Sequence, residues 1–518
     1  MTVEIGLIRD LQDDPFDRAI RGIFGDWLED HGDPARLARR RLLQVQTELA
    51  DWIADVAERR ALYREEERLL AEYGLDWLAP LGPYSSEARF RDGLIDVTFD
   101  AGLFVSSRFV AESERLFDAA WIGSVRLEMP RTPPRHLANC PALARVRQLD
   151  LRATGLTDET LAALLTGPHL GRLVALDLSN NLLTDESASL LSGAQLSHLV
   201  RLDLRNNHLT AGGVRCILNS ERLPRLRSIE VHGNRVETEV LQEVLDRVAV
   251  RDGVCNRRLN SIGMEFIEVP AGVILMGSPE SEPDRGSAEG PIHEVELTRS
   301  FYLSRYLVTQ RQYELILGNN PAVFALNNGG GLNHPAEMVT RGNADLFCER
   351  LSQVDAEILA GCSYRLPTEA EWEHACRAGT FGAFSFGHAA ASRLANFDGR
   401  HPYAGGKRGA YIGRTTPVGT YPANGFGLFD LHGNVWEWCA DYYDERYYSR
   451  KGQRKDPTGP RSGTRVSARG GSWSSHGSTC RSASRDYWYG PHYCRDNIGF
   501  RVVLRTVLPS TEANGRDP

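Results

Sequence analysis

The chain has little of what would place it in a membrane, outside a cell or on a nucleic acid. Its 518 residues contain no run of about 18 apolar residues, so no transmembrane helix is expected. The opening Met1-Thr2-Val3-Glu4-Ile5 lacks a basic stretch followed by an apolar one, so no secretory signal is expected. No Cys-x-x-Cys pair occurs among the nine cysteines, which are spread from Cys140 to Cys494. Their odd number and wide spacing suit reduced thiols in a cytoplasm, not a disulfide framework or a structural zinc site. A net charge of −8 without a long basic block argues against nucleic acid as the main partner. The densest basic cluster, Arg36 with Arg39-Arg40-Arg41, reads as the solvated face of a helix. What is present is ordinary for globular proteins, 42% hydrophobic and 25% charged, in a chain long enough for two to four domains.

The first part reads as helical. Ala19, Ile20, Ile23, Phe24, Trp27 and Leu28 recur at helical spacing, and Glu29-Asp30-His31-Gly32-Asp33-Pro34 stops the pattern. A second helix over 35–50 and a charged third one over 59–73 follow. His31 beside Asp30 and Asp33 reads as a helix-ending turn with a capping Asp, in preference to a metal site. This segment, 1–85, resembles the repeat-companion domain that often precedes leucine-rich repeats in large bacterial proteins; the resemblance rests on residues 26–34 and on Gly74-Leu75-Asp76-Trp77-Leu78.

An internal repeat occupies 120–245. The pattern Leu-x-Leu-x-x-Asn-x-Leu begins at Leu149 (with Thr154 in the Asn place), Leu176, Leu202 and, as Ile229-x-Val231, at Ile229. A period of 26–27 residues lies in the range of leucine-rich repeats. Alternating Leu makes a short strand, the Asn bonds backbone groups at the turn, and the intervening stretches are helical. Val125-Arg126-Leu127 reads as a degenerate first repeat. Asp150, Arg152, Asp177, Ser179, Asp203, Arg205, Glu230 and His232 would line one strip, which either binds a protein or only spaces the two ends.

The last half is rich in Gly and aromatics. Strands are expected at 295–297 and 301–303, a helix opened by Thr309, and a capping box from Thr368 to Glu371. The blocks Arg365–Glu373, Gly427–Trp438, Arg469-Gly470-Gly471-Ser472-Trp473, Cys480-Arg481-Ser482-Ala483 and Asn497-Ile498-Gly499-Phe500-Arg501 stand in an order that resembles the formylglycine-generating enzyme (sulfatase-modifying factor) family over 258–506. The fold class expected is therefore multidomain α+β. An N-terminal helical domain (1–85) precedes a short α/β leucine-rich-repeat solenoid (120–245), then a C-type-lectin-like, formylglycine-generating-enzyme-like domain (258–506) and a disordered tail (507–518).

The resemblance implies, for the oxidase of the family, two copper-binding cysteines five residues apart. The second falls on Cys480 and the first on Ser475. A neutral hydroxyl does not replace a thiolate toward Cu(I), so copper is not expected. Ser472, Trp436 and His476 match neighbours of that active site. An iron version of the family needs a His-x-x-x-His pattern, whereas residues 1–90 hold only His31. Calcium is the ion the resemblance favours, on the side chains of Asp430 and Glu437 and the carbonyls of Gly433 and Val435. A second site would use Asn396 and the carbonyls of Phe397 and Ile412, but Ala410 stands where its carboxylate belongs.

The loop 474–496 resembles the variable cassette of relatives whose genes are diversified, and its Tyr and Ser content suits an adaptable binding surface. The residues expected to carry binding are Trp473, Ser474, His476, Thr479, Asp486, Tyr487, Trp488, Tyr489, His492 and Tyr493. The expectation is a cytoplasmic, non-catalytic protein that binds a protein or other macromolecular ligand through this loop. The alternative is a formylglycine-generating oxidoreductase acting on a cysteine of a protein substrate, with Cys480 catalytic. In a third reading, only the solenoid binds.

Overall fold

A computed structural model describes residues 3–13, 17–53, 55–129, 134–247, 257–450, 454–486 and 490–506. Two compact units emerge, one of residues 1–51 and 57–253, the other of 52–56 and 254–518. Both mix helix and sheet. Among the described residues no helix is long and apolar enough to cross a membrane. The expected tail, 507–518, lies outside the described residues.

The first unit opens with helices Val3–Asp13, Arg18–His31, Pro34–Ala50 and Val56–Leu78. Asp17 caps the second, accepting from the Ala19 and Ile20 amides. Asp33 caps the third, accepting from Arg36 N, and Pro34 occupies the first turn where its missing N–H costs nothing. The Arg39–Arg41 face is not uniformly solvated. Arg39 is buried, its guanidinium 4.7–5.0 Å from the rings of Trp77, Phe90 and Trp121. It donates to the carbonyls of Gly93 and Ala120. Only Arg40 and Arg41 keep partners near the surface, Glu29 and Glu65. A flat aromatic-stacking cation suits such a cage, which charge counting along a helix does not foresee.

One seven-stranded sheet then runs 85–91, 94–100, 122–128, 148–150, 175–177, 201–203, 228–230 in chain order. The first pair is an antiparallel hairpin and every later pair is parallel. Equivalent residues stand opposite one another: Val125, Leu149, Leu176, Leu202 and Ile229 form one ladder. All five are buried, and each such side chain stabilises the unit by roughly 1.5–3 kcal/mol. A helix follows each of the last four strands, and Thr157, Thr184 and Thr210 cap three of them. The buried amides close the turns: Asn207 Oδ1 accepts from Leu183 N (3.1 Å), and Nδ2 donates to the carbonyls of Leu178 and Leu204 (both 3.0 Å). Asn181 and Asn234 do the same one period away. Along the strip between the leucines, charges pair with each other, Asp150 with Arg152 and Asp203 with Arg205.

Among its described residues, the second unit holds three sheets. Strands 272–276 and 293–297 form an antiparallel pair. A five-stranded sheet runs in the order 362–365, 503–506, 301–304, 265–269, 257–259, and a four-stranded one in the order 485–486, 466–469, 436–442, 498–499. Thr309 caps the helix Gln310–Leu317, and Thr368 with Glu371 forms a capping box on Glu369–Arg377. That second helix buries Trp372 and presents Glu369 and Glu373 to the four-stranded sheet, where Arg469 meets both and Arg485 meets Glu369.

Candidate functional site

The Gly433-Asn434 turn positions the functional loops. Gly433 N donates to Gly470 O (2.7 Å), Trp473 N to Asn434 O (2.8 Å), and Asn434 N to Asn396 O (2.8 Å). The backbone then turns through Gly470 and Gly471, both at positive φ. A Cβ on Gly471 would lie 2.4 Å from Cys480 Sγ, so glycine is what lets the thiol approach.

Cys480 ends the one-turn helix Gly477–Cys480 and is fully buried among Phe384, Phe397 and Tyr403. Burial pushes its thiol up to about 12, far from the range of a reactive thiolate. Its carbonyl accepts from His432 Nδ1 (2.8 Å). The Ser385 amide donates to His432 Nε2 (3.1 Å), which makes Nδ1 the protonated nitrogen of a neutral ring. Burial holds this imidazole down to about 4. Ser475 does not stand ready as a ligand: its hydroxyl accepts from Ser472 N (3.0 Å) and lies 3.1 Å from Ser472 Oγ. Trp436 is a core residue, packed with Trp438, Phe347 and Phe500.

The two thiols of the oxidase are thus represented by one buried thiol and one hydroxyl already engaged with Ser472, a donor set that does not fit copper. Of the residues expected to bind calcium, Glu437 takes Arg501 Nε at 2.6 Å and Nη2 at 3.0 Å, and Trp372 Nε1 at 2.8 Å. Its charge is balanced without a cation, so its burial does not by itself call for one. Asp430 accepts from Gly419 N (2.7 Å). The other expected set centres on Asn396. Asn396 Oδ1 is buried with no hydrogen-bond partner, an acceptor aimed at nothing, although Ile412 is 42% exposed and Ala410 supplies no carboxylate.

Of the loop residues, Ser474, His476, Thr479 and His492 are exposed, while Trp473, Asp486 and Tyr493 are half-buried. Trp473 donates from Nε1 to Asp496 O (2.9 Å) and meets Phe324 edge-on and Tyr411 face-on. Tyr487, Trp488 and Tyr489 lie outside the described residues. Sequence reading missed Asp398 and His401, which flank His476. The rings of His401 and His476 stack 4.1 Å apart, and His401 Nδ1 lies 3.2 Å from Asp398 Oδ2. No sequence signal joins residues 75 positions apart.

Residues 254–506 match the Sulfatase-modifying factor enzyme 1-like domain. The chain is similar to a formylglycine-generating enzyme of Streptomyces coelicolor, 34% identical over 192 residues, which is 36% of this chain and 57% of that protein. It is similar to one of Mycobacterium tuberculosis, 32% identical over 226 residues, 34% of this chain and 73% of that protein. It also resembles the serine/threonine-protein kinase pkn1 of Chlamydia caviae, 29% identical over 299 residues, 52% of this chain but only 44% of that protein. The chain therefore spans about half the length of two of these relatives. Among solved structures, PvdO from Pseudomonas aeruginosa matches at 29% identity and a TM-score of 0.41, covering 48% of this chain and 98% of that one. Treponema denticola variable protein 1 matches at 23% and 0.40, covering 49% and 99%. Through residues 254–506, the chain belongs to the sulfatase-modifying factor enzyme 1-like family.

Proposed function

We propose that this domain is a non-catalytic binding module that takes a protein or other macromolecular ligand through the loop 474–496. The observation that carries this reading is Ser475. The place where the family's oxidase holds its first copper thiolate is a hydroxyl bonded to Ser472, beside a thiol that burial keeps protonated. Exposed Ser474, His476, Thr479 and His492 supply adaptable polar contacts, and half-buried Trp473 supplies a rigid aromatic one. In the same reading, the in-register ladder of the first unit is a leucine-rich-repeat solenoid preceded by a repeat-companion domain, and the protein is cytoplasmic. Calcium belongs to the scaffold, at Asp430 with the Gly433 and Val435 carbonyls or at Asn396.

The second reading, a formylglycine-generating oxidoreductase, is favoured by the names of the Streptomyces and Mycobacterium relatives. The two separate in one assay. The full chain, loaded with Cu(I), is given oxygen and a peptide containing Cys-x-Pro-x-Arg, and the peptide is examined by mass spectrometry. The binding reading expects no aldehyde product. Aldehyde formed by the parent and lost in Cys480→Ala would establish the oxidase instead.

A further inference from the structure

Two segments of the second unit, 398–401 and 475–477, are clamped together by backbone. Asp398 N donates to Ser475 O (2.8 Å), and Gly477 N donates to His401 O (3.0 Å). The clamp sets three metal-binding side chains side by side: Asp398, His401 and His476 each offer a donor atom, all within 4.8 Å of one another. Asp398 is buried, and the two imidazoles are exposed.

We propose that Asp398, His401 and His476 bind a divalent transition-metal ion of the zinc class, with a fourth coordination position left open. Two imidazoles and a carboxylate are a borderline donor set that suits Zn²⁺ and its neighbours, not a hard, oxygen-seeking Ca²⁺. Donors about 2.0–2.2 Å from a tetrahedral zinc stand roughly 3.4 Å from each other. Reaching that spacing needs rotation of two exposed rings whose backbones are already tied. The His401 Nδ1–Asp398 Oδ2 pair, 3.2 Å apart, is where the ion would enter.

Arg400 bears on this site. It donates from Nε to Asp398 Oδ1 and from Nη2 to Oδ2, both at 2.8 Å, and Arg400 N also reaches Oδ1. A carboxylate bound to metal through Oδ2 keeps Oδ1 for Arg400, the usual outer support of a ligating carboxylate. The Arg400 side chain is 60% exposed and stacks on Tyr411, so releasing Oδ2 does not strand a buried charge. Three protein ligands and one vacancy match sites where zinc accepts a further donor from outside. The metal would then sit at the rim of the proposed binding loop, although its binding does not depend on what that loop recognises.

The test uses the full chain stripped with EDTA and titrated with Zn²⁺ against a chromophoric chelator, alongside His401→Ala and His476→Ala. Both substitutions are at exposed side chains, and unchanged thermal unfolding of the apo variants is expected. The expected result is one saturable site in the parent, weakened by about 10–100-fold or more in each variant. Co²⁺ substitution is expected to give visible bands of tetrahedral cobalt in the parent alone. Equal Zn²⁺ binding by parent and variants would place the metal on other histidines and overturn the proposal. Absence of saturable binding, or an equal affinity for Ca²⁺, would overturn it too.

Discussion

The two units satisfy their buried backbone in different ways. In the repeat of the first, successive turns have the same geometry, so one neutral side chain repeated at one position suffices: Asn181, Asn207 and Asn234 each bridge two repeats. In the second, loops of unlike shape leave carbonyls at irregular positions, and buried arginines collect them. Arg501 pairs with Glu437 and also donates to the carbonyls of Ser304 and Phe429. Arg485 pairs with Glu369 and donates to Ala288 O, and Arg377 pairs with Glu373 and donates to Gly277 O. A guanidinium has five donors and a carboxylate uses two or three, so the rest are free to hold loops. Regular backbone needs an amide; irregular backbone needs a multi-donor cation with its charge balanced.

Arg501→Met breaks the second unit at this point. It leaves Glu437 buried and charged and removes donors from two carbonyls, so a loss of about 3–5 kcal/mol is expected in urea unfolding. A loss below about 1 kcal/mol would mean that the pair is incidental. In the first unit, Asn181→Ala, Asn207→Ala and Asn234→Ala should each cost about 1–3 kcal/mol, because buried amide and carbonyl groups lose their partners. Their near equality is the sharper expectation; unequal losses would show that the repeats are not energetically equivalent.

Adjacent arginines test burial within one helix. Arg39→Ala removes a desolvated cation from three rings and should cost about 2 kcal/mol or more. Arg40→Ala breaks a surface pair with Glu29 and should cost about 1 kcal/mol or less. Thermal unfolding of the two variants, side by side, decides it.

A pH dependence is expected in the second unit. Burial, then the charge of Glu369, pushes the Asp441 carboxyl up to about 8, above the roughly 3.9 of an unfolded chain. As pH rises, the unfolded state loses this proton first, so stability present below about pH 4 is lost on the way to pH 8. Asp441→Asn has no proton to lose and keeps an acceptor for Glu369 N. Its Tm relative to the parent should therefore rise by a few degrees between pH 5 and pH 8. A difference that stays constant with pH would remove Asp441 as the cause.

Much was legible where the physics is local. Thr309, Thr368 and Asp33 cap helices because a side-chain oxygen three residues before an amide needs no distant partner. The Leu and Asn positions of the repeat were readable because each period repeats the same neighbours. The hairpin 85–100 and the helix Ser107–Ala120 were not, since their edges are defined by pairing with 122–128 and by packing, not by a repeat. At the site, Ser475 and Cys480 were named from their order in the chain, but their state was not. That Ser475 bonds Ser472, that Arg501 balances Glu437 and that Asp398 and His401 meet His476 are facts about residues 3 to 78 positions apart.

The amino-acid order alone determined the periodic ladder, the helix caps, and the hydroxyl at 475 in place of a thiol. These depend on residue type and on neighbours within a few positions. Only the tertiary structure decided which charges are buried together. It stacked Arg39 on three rings, closed Glu437 with Arg501, held His432 neutral against the Cys480 carbonyl and clamped two loops so that Asp398, His401 and His476 converge. Electrostatic pairing and metal-ligand geometry depend on distances in space, and chain spacing does not encode those across irregular loops.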